Sequence, residues 1–343
     1  MIDPALETLF LPLVNEAIEI PAEGKTLFLR ARLGSALRDI PSERLVCQQT
    51  FAPDASALTR AGYELVEDTQ DEFPLVLVLP PRQRQEARAL LAEAVARTKD
   101  GGIVIASVAN TEGAKTCEAD LAQLAGCSGK LSKNKCRVFW TQVNKAEVNA
   151  DLLESWLALD APREIEGGRY MSRPGVFSWD HIDPASQLLA ESLPENLYGK
   201  GADLGAGLGY LADEVVTRCP KIVGVDLYEA EKRSLDLAKQ NLAEQGKKKP
   251  LDFIWADITA GLKRNYDFVV MNPPFHTGKA DRNDLGQAFI RAASQALRPG
   301  GVLWMVANRH LPYEATLDKF FESFEIIRDE KGYKVIQATK ARK

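Results

Sequence analysis

The chain has 343 residues, 45% of them hydrophobic, and 43 Lys and Arg against 48 Asp and Glu give a net charge of −5. That length predicts two domains, and the acidic balance excludes a protein that holds nucleic acid by overall charge alone. No apolar run approaches the roughly 18 residues of a membrane span, and the start MIDPALETLFLPLVNEAIEI lacks the basic segment and small-residue cleavage site of a signal peptide, so a cytoplasmic protein with no membrane partner is expected.

In the first half, TLFLRARLG (26–34) reads as a strand. FPLVLVLPPR then gives a second strand ending in Pro-Pro, followed by a helix, a Gly-Gly turn and a strand closing on Val-Ala-Asn at 110. The basic run GKLSKNKCR (129–137) offers Lys130, Lys133, Lys135 and Arg137 as cations that could neutralise phosphates locally. The stretch 144–170 reads as a linking helix followed by an exposed Gly-Gly loop. From about residue 200 the chain alternates GADLGAG (strand into turn), YLADEVVTRC (helix), KIVGVDL (strand), EAEKRSLDLAKQNLAEQG (helix) and LDFIWAD (strand). YDFVVMN (strand), LGQAFIRAASQAL (helix) and GGVLWMVAN (strand) follow, then a helix and the closing strands FEIIRD and YKVIQAT. Alternation of helices with strands this apolar predicts an α/β fold with a parallel sheet covered on both faces and an antiparallel pair at one edge.

Residues 73–110 and 266–308 share an ordered set of features: apolar strand, Pro-Pro turn, helix, Gly-Gly turn and a strand ending Val-Ala-Asn. This predicts a duplicated Rossmann-like domain, with a degenerate copy at 1–150 and the working copy, with the linking helix at its start, at 151–343. Leu79 stands where the second copy has Asn272, Arg82 where it has Phe275, and arginines where it has Gly205 and Gly207. The first copy is therefore expected to keep the fold and to bind no cofactor.

Five cysteines without a CxxC pair, and only three scattered histidines (His181, His276, His310), predict reduced thiols and no metal centre. The chemistry points elsewhere. Gly205, Gly207 and Gly209 lie between a strand and a helix, where glycine lets the backbone turn tightly and approach a ligand. The next strand is expected to end at Asp226, placed to accept ribose hydroxyls, and the following one at Asp257, placed to accept from an exocyclic adenine amine. NAD and S-adenosylmethionine share that nucleoside. The spacing GxGxG lacks the GxGxxG pyrophosphate fingerprint, and Asp203 before the loop favours a positively charged sulfonium, so a methyl donor is the expected cofactor.

DLGAGLG, VDL, AD and NPPFH resemble the successive motifs of class I methyltransferases that use S-adenosylmethionine. RPGVFSWDHIDPASQLL (173–189) and VANRHLPY (306–313) bring the chain closer to the bacterial ribosomal RNA guanine-N2 methyltransferases, duplicated proteins whose first domain has lost its site. The resemblance covers 173–343 well and the first half more loosely. It implies methylation of a guanine N2 in ribosomal RNA, with length and the PGVFS segment favouring the small-subunit (16S) enzyme over its large-subunit paralogue. A monomer acting on ribosomal RNA or the small ribosomal subunit is expected.

Asn272-Pro273-Pro274-Phe275 ends a strand where proline cannot continue the ladder. An exocyclic amine is a poor nucleophile, and two acceptors on its hydrogens would aim its lone pair. The Asn272 side-chain oxygen and the Pro273 carbonyl suit that task, and Phe275 can stack on the base. These three are the expected catalytic residues; His276 is assigned no role. A protein glutamine-N5 methyltransferase and a non-enzymatic RNA assembly factor remain the alternative readings.

Overall fold

The apolar runs become the inner strands of two mixed sheets in the computed structural model, which describes residues 3–274 and 281–342. The chain divides into two units, Met1–Pro162 with Arg173–Gly175 and Arg163–Ser172 with Val176–Lys343.

In the first unit, β1 (Thr26–Leu29), β2 (Leu45–Gln48), β3 (Glu64–Val66), β4 (Phe73–Val78), β5 (Thr98–Ala109), β6 (Gly129–Lys133) and β7 (Cys136–Gln142) form one sheet in the order β3-β2-β1-β4-β5-β7-β6. The strands β1 to β5 pair in parallel, and β7 and β6 add antiparallel at one edge. The helix Ala150–Leu157 buries Trp156 in this unit's core. GKLSKNKCR folds as the β6–β7 hairpin, where Glu118 pairs with both Lys130 (2.7 Å) and Arg137, while Lys133 and Lys135 stay exposed.

The second unit opens with the short hairpin β8 (Arg163–Ile165) and β9 (Tyr170–Ser172), turned by Gly167 and Gly168. Its main sheet holds β10 (Tyr198–Leu204), β11 (Lys221–Glu229), β12 (Leu251–Trp255), β13 (Tyr266–Met271), β14 (Leu297–Asn308), β15 (Ser323–Glu330) and β16 (Tyr333–Thr339). The order β12-β11-β10-β13-β14-β16-β15 repeats that of the first unit strand for strand. The expected α/β architecture is thus present twice, antiparallel edge pair included.

Alternation along the strands feeds cores on both faces of the second sheet. Ala202, Leu204, Val269 and Met271 face one cluster, while Val225, Leu227, Phe268 and Val270 face the other. Such two-sided burial is why these strands read as continuous apolar runs. Among the described residues, no helix is long and apolar enough to cross a membrane.

The registers show what became of the site in the first copy. Leu29 pairs with Gln48 and Val78 as Leu204 pairs with Tyr228 and Met271. Arg30 therefore stands at Gly205 and Leu79 at Asn272. Arg30 keeps the left-handed backbone of the glycine, with φ 52° against 77°, and its guanidinium donates to the Leu79 carbonyl at 3.1 Å. A side chain has been laid over the strand ends, at a backbone cost of roughly 1–2 kcal/mol for a non-glycine residue.

Candidate active site

Strand order reverses between β10 and β13, and the loops that follow them meet at the carboxyl edge of the sheet, the usual ligand crevice of a doubly wound fold. Leu204 and Met271 are register partners, so the glycine turn and Asn272 emerge side by side. The backbone N–H groups of Gly205 and Ala206 donate to the Tyr228 carbonyl at 2.9 and 3.0 Å, which ties the turn to the end of β11. Gly205, Gly207 and Gly209 have φ of 77°, 54° and 94°, all in the left-handed region that L side chains avoid. A Cβ on Gly207 would meet nothing within 4 Å, whereas one on Gly209 would lie 2.9 Å from the Leu242 side chain. Gly207 is therefore required by its backbone, and Gly209 also by the close packing beneath the helix Tyr210–Arg218. Asn241 braces the loop from below, donating to the carbonyls of Leu208 and Met171, both at 3.0 Å.

The structure places Asp226 and Asp203 differently from their motif reading, and Asp257 just past the end of β12. Strand β11 does not stop at Asp226 but runs on through Leu227 and Tyr228 to Glu229. Asp226 is fully buried within the sheet, 2.5 Å from the Lys200 ammonium and 2.9 Å from the Arg264 guanidinium, and it accepts from the Tyr266 hydroxyl at 2.7 Å. It is occupied as the centre of an ion-pair cluster. The carboxylate level with the glycine turn is Glu229, whose Oε2 accepts from the Gly207 N–H at 2.8 Å and whose Oε1 accepts from Glu231 N–H at 2.8 Å. Burial pushes the Glu229 carboxyl above the usual carboxylate range, and the neighbouring Glu231 adds to the rise while backbone N–H groups oppose it. Sequence reasoning missed Glu229 because VDL matches a familiar strand end. The available signal was that Leu227 and Tyr228 are both good strand residues.

Asp203 lies beneath the loop, wholly buried; its Oδ2 accepts from the Ala212 N–H at 3.1 Å, and its Oδ1 is buried without a partner. Burial, reinforced by Glu229, raises its pKa to about 8. Asp203 therefore holds the first turn of the helix through the Ala212 N–H, and its burial disfavours the charged form. Asp257 lies two residues past the end of β12 and caps the short turn Ile258–Ala260, its Oδ1 accepting from the Thr259 N–H at 2.8 Å and hydroxyl at 2.6 Å.

Beside the glycine turn is an open pocket of about 450 Å³, solvent at its mouth included, lined by Phe177, His181, Asp183, Ser186, Gly205–Leu208 and Asn272 among others. Asn272 donates its amide to Asp183 Oδ2 at 2.9 Å and to Ser186 Oγ at 2.8 Å. Its Oδ1 is buried without a partner. Pro273 is buried behind it. Phe275 and His276 lie outside the described residues. Asp183, Ser186 and Phe177 were not singled out from sequence, although Asp-Pro before a helix is a cap signal.

A glycine turn against a strand-end carboxylate, with Asn-Pro-Pro across the switch point, is the arrangement of a class I methyltransferase. The family model described as methyltransferase small domain matches residues 167–337. Among relatives, the ribosomal RNA small subunit methyltransferase C of Salmonella newport is 30% identical over 76% of this chain and 74% of its own length. That of Psychromonas ingrahamii is 29% identical over 81% and 80%. A T. thermophilus 16S rRNA N2 methyltransferase, solved with AdoMet and guanosine, matches 98% of this chain and 92% of its own at 26% identity and a TM-score of 0.82. The chain belongs to the ribosomal RNA small subunit methyltransferase C family.

Proposed function

We propose that this protein transfers a methyl group from S-adenosylmethionine to the exocyclic N2 amine of a guanine in 16S ribosomal RNA, acting as a monomer through its second half. The observation that carries the reading is the buried, unpartnered Asn272 Oδ1 beside the glycine turn. An acceptor left empty in the free protein is suited to a donor brought by the substrate.

The site fits the cofactor. Gly207 leaves open space over the turn, Glu229 supplies a strand-end carboxylate for the two ribose hydroxyls, and the Asp257 carboxylate stands beyond β12 for the adenine amine. When bound, the cofactor supplies an electrophilic methyl group. Asn272 Oδ1 and the Pro273 carbonyl accept the two hydrogens of the guanine amine and so aim its lone pair out of the base plane. Phe275 stacks on the base. Asp203 acts through the loop that it supports. The first half, with Arg30 over its strand ends, takes no cofactor; it supports the fold and offers the exposed Lys133 and Lys135 to RNA.

Relatives named for the small subunit favour 16S over large-subunit RNA, and the duplicated first half separates the chain from the glutamine methyltransferases. The test is transfer of labelled methyl into ribosomal RNA from cells lacking the protein, followed by nuclease digestion and mass spectrometry. N2-methylguanosine in 16S RNA is expected. Label in 23S RNA, on adenine, or only in a release factor would refute the assignment.

A further inference from the structure

An asparagine amide can present either end to a substrate, and only the oxygen can receive an amine. We infer that Asp183 and Ser186 are positioning residues that lock the Asn272 amide with its oxygen toward the substrate, an inference that rests on the function proposed above.

Asp183 caps the helix Pro184–Ser192, its Oδ2 accepting from the Ser186 N–H at 2.8 Å. The same oxygen accepts from Asn272 Nδ2 at 2.9 Å, and Ser186 Oγ accepts from that nitrogen at 2.8 Å. An amide nitrogen has two hydrogens, so both are committed. Turning the amide over would bring its carbonyl oxygen against a carboxylate oxygen at hydrogen-bond distance, acceptor against acceptor. The carboxylate therefore selects the rotamer, the hydroxyl completes it, and Oδ1 is the one valence left for a ligand. Capping and orientation share one oxygen, which couples the start of this helix to the geometry of the site.

The two roles separate by side-chain length. Asp183→Ser keeps a favoured cap but is too short to reach Asn272. Asp183→Asn can place its amide oxygen where Oδ2 now sits and accept both N–H groups. With Asp183→Ser, kcat on 16S RNA is expected to fall by about 10- to 100-fold, the scale of a misplaced reacting group, while calorimetric cofactor affinity and Tm stay near wild type. Asp183→Asn should recover most of the lost rate, and Ser186→Ala, which leaves the capping carboxylate in place, should show a smaller loss of kcat. Wild-type kcat in both Asp183→Ser and Ser186→Ala would overturn the lock, as would an Asp183→Asn enzyme as slow as Asp183→Ser. Wild-type protein that binds the cofactor but leaves guanine N2 unlabelled would sink the functional reading and the lock together. An active wild type with indifferent Asp183→Ser and Ser186→Ala sinks the lock alone.

Discussion

Asp226 and Glu229 are three residues apart on one strand, and replacing each with alanine should separate stability from binding. Asp226→Ala removes the fully buried anion that faces Lys200, Arg264 and Tyr266. Removing one partner of a buried ion pair costs about 3–5 kcal/mol because the remaining charge is left uncompensated. Arg264 is half exposed and retains Asp252, so the lower end, about 3 kcal/mol, is expected. Glu229→Ala instead removes the acceptor proposed for the ribose hydroxyls. Hydrogen bonds to a charged group contribute about 1.5–3 kcal/mol, which corresponds to a cofactor Kd weaker by about 10- to 150-fold. Loss of the Gly207 N–H contact at 2.8 Å adds to that effect by loosening the turn. Urea denaturation gives the first quantity and titration calorimetry the second, below the unfolding transition of each variant. An Asp226→Ala protein of unchanged urea midpoint that no longer binds cofactor would refute the assignment of roles.

Asn272→Ala should lower methyl transfer by about 100-fold or more, the scale of lost positioning, while the cofactor Kd changes less than about twofold; single-turnover label transfer and calorimetry check the pair. Burial raises the Asp203 pKa to about 8 from an unfolded value of about 4, so its contribution to stability is complete below about pH 4 and is lost as pH rises toward 8. Ligand-free Asp203→Asn should therefore show a flatter Tm across that window, and parallel Tm curves would count against the burial argument. Calorimetry should find one cofactor site per chain, because Arg30 covers the strand ends of the first copy; a stoichiometry of two would contradict this.

The double α/β plan was legible because two-sided burial demands uninterrupted apolar strands, and those runs recur in the same order in both halves. The losses in the first copy were equally visible, since Arg30 and Leu79 cannot serve as Gly205 and Asn272, and the registers align these positions. Carboxylate assignments were harder. A motif match ended β11 at Asp226, whereas hydrogen bonding carries the strand to Glu229, and only pairing with β10 shows which acid is level with the glycine turn. Asp203 shows a related limit: its place before the loop suggested a charge for the cofactor, but its solvation depends on packing from elements distant in sequence. The contact of Asp183 and Ser186 with Asn272 spans more than eighty residues, and local pattern contains no trace of it.

The retained left-handed backbone at Arg30 has a thermodynamic consequence. On the proposed assignment, unit 1 has Arg30 over its strand ends and takes no cofactor, so its stability would carry no dependence on cofactor concentration. Unit 2 keeps an open turn and gains free energy by mass action, about 2.7 kcal/mol at a hundredfold excess over Kd. On that assignment the duplicated chain joins a half of fixed strength to a half whose resistance to unfolding rises and falls with the supply of methyl donor.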